Sequence, residues 1–164
     1  MAQANTSLTK GQTQEPDRKR TQFSAVDEAA IAVLVEEFYR TVRRDPRLGE
    51  IFERRLAGKW DEHQGKMQLF WQSVLLKNGV YKGKPVPAHL KQKELVGDDY
   101  ALWLDVFRAV VSGLFEEQPA AEIIGRAERI AQSLWLASFG VAGSQPPAAL
   151  TSDAHAWGGG SCLR

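Results

Sequence analysis

Cysteine is almost missing from this chain: the only one, Cys162, is the third residue from the end. A disulfide framework is thereby excluded. Long apolar runs are missing too. None approaches the ~18 residues of a membrane-crossing helix, and residues 1–22 lack the apolar centre of a signal peptide. The expectation is a soluble, cytoplasmic protein. Neither sign of charge dominates, with 21 Lys and Arg against 20 Asp and Glu. A net charge of +1 leaves no broad basic field for nucleic acid, and Arg18-Lys19-Arg20 is too short to make one. No hairpin dipeptide sits between alternating apolar runs, so strand signals are absent. The chain has no HExxH, no CxxC, no Gly-rich phosphate loop and no GxSxG. Gly158-Gly159-Gly160 lacks the strand before it and the helix after it that a phosphate loop requires.

What is present is an ordinary globular balance over 164 residues, 43% hydrophobic and 25% charged, which fits one domain. Residues 1–22 are polar, with no periodic apolar pattern, and are expected to be a disordered extension. Residues 141–164, with Pro146-Pro147 and the triple glycine, are expected to be a flexible tail. His155, Trp157 and Cys162 in that tail are open to two readings, a metal-binding or docking peptide and a plain unstructured terminus. The folded core is expected at 23–140.

That core reads as helix throughout. Ser24-Ala25-Val26-Asp27 has capping-box spacing, and Ile31, Leu34, Val35, Phe38 and Val42 follow as a helical stripe. Asp45-Pro46 ends this helix, because a residue before proline is pushed out of the α region. A second helix is predicted from Trp60 to Lys77, with Trp60, His63, Met67, Phe70, Trp71 and Val74 on one face and Asn78-Gly79 closing it. Val80 to Ala88 holds one glycine and two prolines, a constrained connector that delivers His89. A third helix carries Trp103, Val106, Phe107, Val110 and Leu114. A fourth begins near Pro119 and stops at Gly140. The fold class is all-α.

Histidine is scarce, and two of the three fall where chemistry can use them. His63 lies on the apolar stripe of its helix, so its imidazole faces inward and needs a partner, since an unpaired buried polar group costs about 1–3 kcal/mol. Tyr39 shares a face with Val35 and Val42 and also brings a hydroxyl inward. Trp103 brings an indole N–H, and His89 follows the breaker-rich connector. Each has a plain reading alone: a core histidine bonded to a carbonyl, a tyrosine capping a core edge, a packed tryptophan, a surface histidine. A closed zinc site would want four ligands, and no cysteine is at hand. Taken together, the inward polar groups and the surrounding aromatics suit a flat apolar cofactor beside a neutral imidazole, the commonest metal ligand.

Four blocks carry a resemblance to a known family. They are Phe38-Tyr39-x-x-Val42-Arg43-x-Asp45-Pro46-x-Leu48-Gly49-x-Ile51-Phe52, Trp60-x-x-His63-x-x-x-Met67-x-x-Phe70-Trp71, Tyr81-x-Gly83-x-Pro85-x-x-x-His89 and Tyr100-x-x-Trp103-x-x-x-Phe107. In this order, over about residues 24–140, the chain resembles the truncated haemoglobins, and is most similar to their group III (P-type) branch. The paired glycines typical of other branches are absent from the core.

The resemblance implies a compact two-over-two helical globin that binds haem b (iron protoporphyrin IX). It makes His89 the proximal iron ligand, Tyr39 the distal tyrosine and Phe52 the ring that stacks on the porphyrin. His63 takes the distal histidine position, Met67 packs over the distal face where a branched aliphatic is more usual, and Trp103 adds a donor beside the ligand. Phe70 and Tyr81 complete the expected haem contacts, with Lys66 as the expected propionate partner. The implied function is reversible binding of O₂, CO or NO at the open sixth position of the iron, by a monomer. The alternative is an NO dioxygenase or a peroxidase-like enzyme, which would need a separate reductase because no flavin or nicotinamide domain is fused here.

Overall fold

Six α-helices form among the residues that the computed structural model describes, 22–90 and 93–151: α1 Glu28–Val42, α2 Pro46–Leu56, α3 Trp60–Leu75, α4 Pro85–Leu90, α5 Gly97–Leu114 and α6 Glu117–Phe139. A single 3-10 turn, Ala148–Leu150, follows them. Residues 1–21 and 152–164, with His155, Trp157, Cys162 and the triple glycine, lie outside the described residues. The long helices make two packed pairs. α1 packs on α3 and α5 on α6, and the pairs meet through α1 against α5 and α3 against α6. This is the expected all-α, two-over-two arrangement. Among the described residues no helix is long and apolar enough to cross a membrane.

The apolar stripe of α1 is the centre of the core: Ala30, Ile31, Leu34 and Val42 are fully buried. The start of α1 differs from the capping box expected at Ser24. Asp27 is the cap, its carboxylate accepting from the Ala30 N–H at 2.8 Å. Upstream, Phe23 is extended and bonded to the α5–α6 junction: its N–H donates to the Leu114 carbonyl, and its own carbonyl accepts from the Glu116 N–H. A chain pinned there in extended form cannot turn helical until it has cleared that contact.

Two elements were not anticipated. Asp45-Pro46 ends α1 as expected, but the same dipeptide starts α2. The Asp45 carboxylate accepts from the Arg47 and Leu48 N–H groups, and Pro46 occupies the first turn, where its missing N–H costs nothing. The expected connector 80–88 is half helix. Pro85 and Pro87 both fall in the first turn of the six-residue α4, and His89 sits in its last. The chain beyond Gly140 also departs from the expected flexible tail. Leu150 is fully buried against α5 and α6, with its carbonyl accepting from Gln132 Nε2 at 2.9 Å. A leucine side chain buried this completely contributes about 1.5–3 kcal/mol, enough to hold a short strap in place.

Candidate functional site

Helix α3 has a face that the core does not cover completely. Trp60 and Trp71 are buried, yet His63, Met67, Phe70 and Val74 on the same helix are only half-buried. The first three border a cavity of about 330 Å³ enclosed by α1 through α6. All nine residues expected at the site line this one space: Tyr39, Phe52, His63, Lys66, Met67, Phe70, Tyr81, His89 and Trp103. Interiors of proteins are close-packed, so an unfilled hollow of this size among large side chains is a binding space rather than a packing fault.

On one wall, α1 and α3 bring Tyr39 and His63 together. The tyrosine oxygen lies 2.9 Å from His63 Nε2, and the two rings meet edge to face. Burial pushes the Tyr39 hydroxyl well above the ordinary tyrosine range, so it keeps its proton. Burial, reinforced by the positive charge of Lys66, lowers His63 to about 4. The pair is therefore neutral at physiological pH. Phe52, carried in by α2, stands 5.7 Å from Tyr39 and 6.3 Å from His63, which fixes the two rings from the side.

Trp103 is held by a stack. Its ring lies 5.3 Å from Phe107 at 11°, and Phe107 lies 4.7 Å from Trp71 at 19°. Its indole N–H has no hydrogen-bond partner among the described residues. A rigidly held donor at the wall of an open space is placed to bind whatever enters.

His89 borders the cavity from α4. Its Nδ1 is 2.8 Å from the Pro85 carbonyl one turn back. A carbonyl only accepts, so Nδ1 carries the proton and donates, and Nε2 keeps its lone pair. Such a bond is the usual device for orienting a metal-bound imidazole and raising its basicity. Tyr100 backs the ring at 6.4 Å, its hydroxyl tied to Ser138 Oγ at 3.0 Å.

The rim is charged. Lys66 pairs with Glu62 at 2.5 Å, both well exposed, and its ammonium holds the Glu62 carboxyl below the usual range. Arg55 and Asp99 also line the cavity, and sequence reasoning missed both. Arg55 makes a two-pronged contact with Glu94, both distances 2.7 Å. Asp99 is buried at 5% exposure and accepts from Arg47 Nε and Nη2 at 2.8 and 2.7 Å and from the Val96 N–H at 2.9 Å. Burial pushes Asp99 up, but the Arg47 and Val96 hydrogen bonds and the Arg47 charge outweigh it and hold the carboxyl below its ordinary value. Recognition of α2 as a helix would have found Arg55, three residues past Phe52 and on the same face.

The donor set has one shape. One imidazole with a free lone pair and two neutral donors border the same space, which is walled by aromatic and aliphatic side chains and also lined by Lys66 and Arg55. Among the described residues no three His, Cys, Asp or Glu side chains converge, so a metal held by protein ligands alone finds no companions for His89. A flat, largely apolar group that brings its own metal and its own carboxylates fits these residues.

No family model matches the chain. It is 33% identical over 112 residues to the group 3 truncated hemoglobin ctb of Campylobacter jejuni, an alignment covering 66% of this chain and 88% of that protein. The fold superposes on the crystal structure of the group III truncated hemoglobin from Campylobacter jejuni with a TM-score of 0.67 and 31% identity, over 70% of this chain and 93% of the other.

Proposed function

The chain belongs to the group III truncated haemoglobins, and from that membership we propose that it binds haem b in the cavity between His63 and His89 and a diatomic gas, O₂, CO or NO, on the Tyr39 side. The Nδ1 contact of His89 with the Pro85 carbonyl carries this reading, because it fixes the tautomer of a cavity-lining histidine and leaves its Nε2 lone pair free for a metal. His89 would hold the haem, which would supply an iron able to bind a gas ligand.

The residues around it have separable tasks. Phe52, Met67 and Phe70 supply apolar contact, and Tyr81 closes the cavity beside Phe70, ring to ring at 5.3 Å. Lys66 and Arg55 at the rim are the cations for the haem carboxylates. Arg55 is suited to a two-pronged contact, which it already makes with Glu94. Tyr39 and Trp103 donate hydrogen bonds to the gas ligand.

His63 decides whether Tyr39 is able to donate. Between them the neutral pair has one hydroxyl proton and one ring proton. With the ring proton on Nε2, His63 donates to the tyrosine oxygen and leaves the hydroxyl hydrogen free for the ligand. With it on Nδ1, Nε2 accepts from the hydroxyl and the pocket loses that donor. A ligand that accepts strongly, as O₂ does, selects the first arrangement, and one that accepts weakly, as CO does, selects neither.

The absorbance spectrum of the purified protein tests the proposal. A Soret band with haem visible bands, shifting on reduction and again on addition of CO, is the expected result. A protein that takes up no haem even after incubation with hemin contradicts it.

A further inference from the structure

A second hollow of about 370 Å³ opens on another face of the helix that carries His89, where α3, α4 and α6 meet. Its walls are apolar, with Val74 from α3, Val86 from α4 and Ile130 and Leu134 from α6 among them. Ser133 also borders it, but its hydroxyl donates to the Arg129 carbonyl at 2.8 Å. The groove therefore has little to offer the amide groups of a peptide, which would be buried unpaired. An unbranched alkyl chain has no such need.

One end is different. Arg126 and Arg129 line the groove, both are exposed, and neither has a carboxylate partner among the described residues. Three residues apart, they share a face of α6. Gly125 leaves room for the Arg129 guanidinium to lie back along the helix, its Nη1 3.8 Å from where a side chain at Gly125 would begin. From these arginines to Leu134 the lining follows α6 for eight residues, about 12 Å of helix.

We propose that this groove binds a medium-chain fatty carboxylate, with its head group on Arg126 and Arg129 and its chain lying toward Leu134 between Val74 and Val86. The pairing of two planar cations with one carboxylate favours the ionised acid over an alcohol of equal length. The exposure of the arginines makes the head-group contact sensitive to salt.

Titration calorimetry of the haem-loaded protein with sodium decanoate tests this with the cavity itself filled. One saturable site is expected, with octanoate about fifteenfold weaker, because two buried methylenes contribute about fourfold each. Binding to the R126Q/R129Q variant falls about tenfold or more, and binding to V86F, which fills the groove, is lost. Decanol binds the wild type no better than decanoate binds R126Q/R129Q. Absence of a saturable site for decanoate overturns the proposal, as does unchanged affinity in either variant. Val86 and both arginines line the groove and not the cavity, so these outcomes leave the haem reading untouched.

Discussion

At the residue scale the chemistry rests on the 2.9 Å contact between Tyr39 and His63. Tyr39→Phe removes the hydroxyl and leaves the ring packing against Phe38 and Phe52 almost unchanged. A hydrogen bond to a partly charged acceptor contributes about 1.5–3 kcal/mol, and about 1.4 kcal/mol is a factor of ten. Stopped-flow measurement should therefore show O₂ leaving about ten- to a hundredfold faster, with CO release changing much less. The Trp103→Phe and double variants reveal whether the indole N–H compensates. O₂ and CO release unchanged from wild type in all three variants would mean that neither residue holds the ligand. His63 also makes a prediction about pH. Its folded value of about 4 lies below the ordinary 6.5, so the unfolded chain takes up its proton first as pH falls. Stability is unpenalised above 6.5 and is lost progressively between 6.5 and 4. In urea titrations of the haem-free protein, His63→Leu should flatten that limb, and parallel wild-type and variant profiles would contradict the assignment.

At the scale of elements, the boundary between legible and hidden structure follows residue chemistry. The stripes of α1, α3, α5 and α6 are long enough to reveal their period, and the inward Tyr39 and His63 could be placed from that period alone. α2 could not, because four of its eleven residues are Arg or Glu between Gly49 and Leu56, and its leading proline reads first as a stop. α4 was hidden for a related reason. Two prolines in six residues signal a breaker, whereas both occupy first-turn positions that need no N–H. The roles of Phe52 and His89 came from the family resemblance, since a single histidine or phenylalanine has no periodicity of its own. Contacts between distant segments, such as Arg47 with Asp99, leave no local pattern at all. That pair joins α2 to the start of α5 at the cavity wall. Asp99→Asn keeps the shape but removes the charge, and it should lower the urea midpoint at neutral pH. The difference should shrink as the solution is acidified through the depressed Asp99 value, because the carboxyl is then protonated in wild type too. A midpoint unchanged by the substitution would show that the bridge only decorates the surface.

For the whole molecule, the described chain is a scaffold in which six helices share one cavity, and a strap that ends in the buried Leu150 packs on α5 and α6. Leu150→Ala should cost about 2–5 kcal/mol in unfolding free energy, measured by denaturant titration, whereas a loss under about 0.5 kcal/mol would place the strap outside the cooperative unit. The central claim is that this cavity takes haem and that His89, not His63, anchors it. The direct test is haem content and the Soret spectrum of purified His89→Ala and His63→Ala proteins beside the wild type. His89→Ala should lack a normal Soret band and regain one only when imidazole is supplied, while His63→Ala should keep wild-type haem stoichiometry. Full haem retention with a wild-type spectrum in His89→Ala, or equal loss in both variants, would contradict the account.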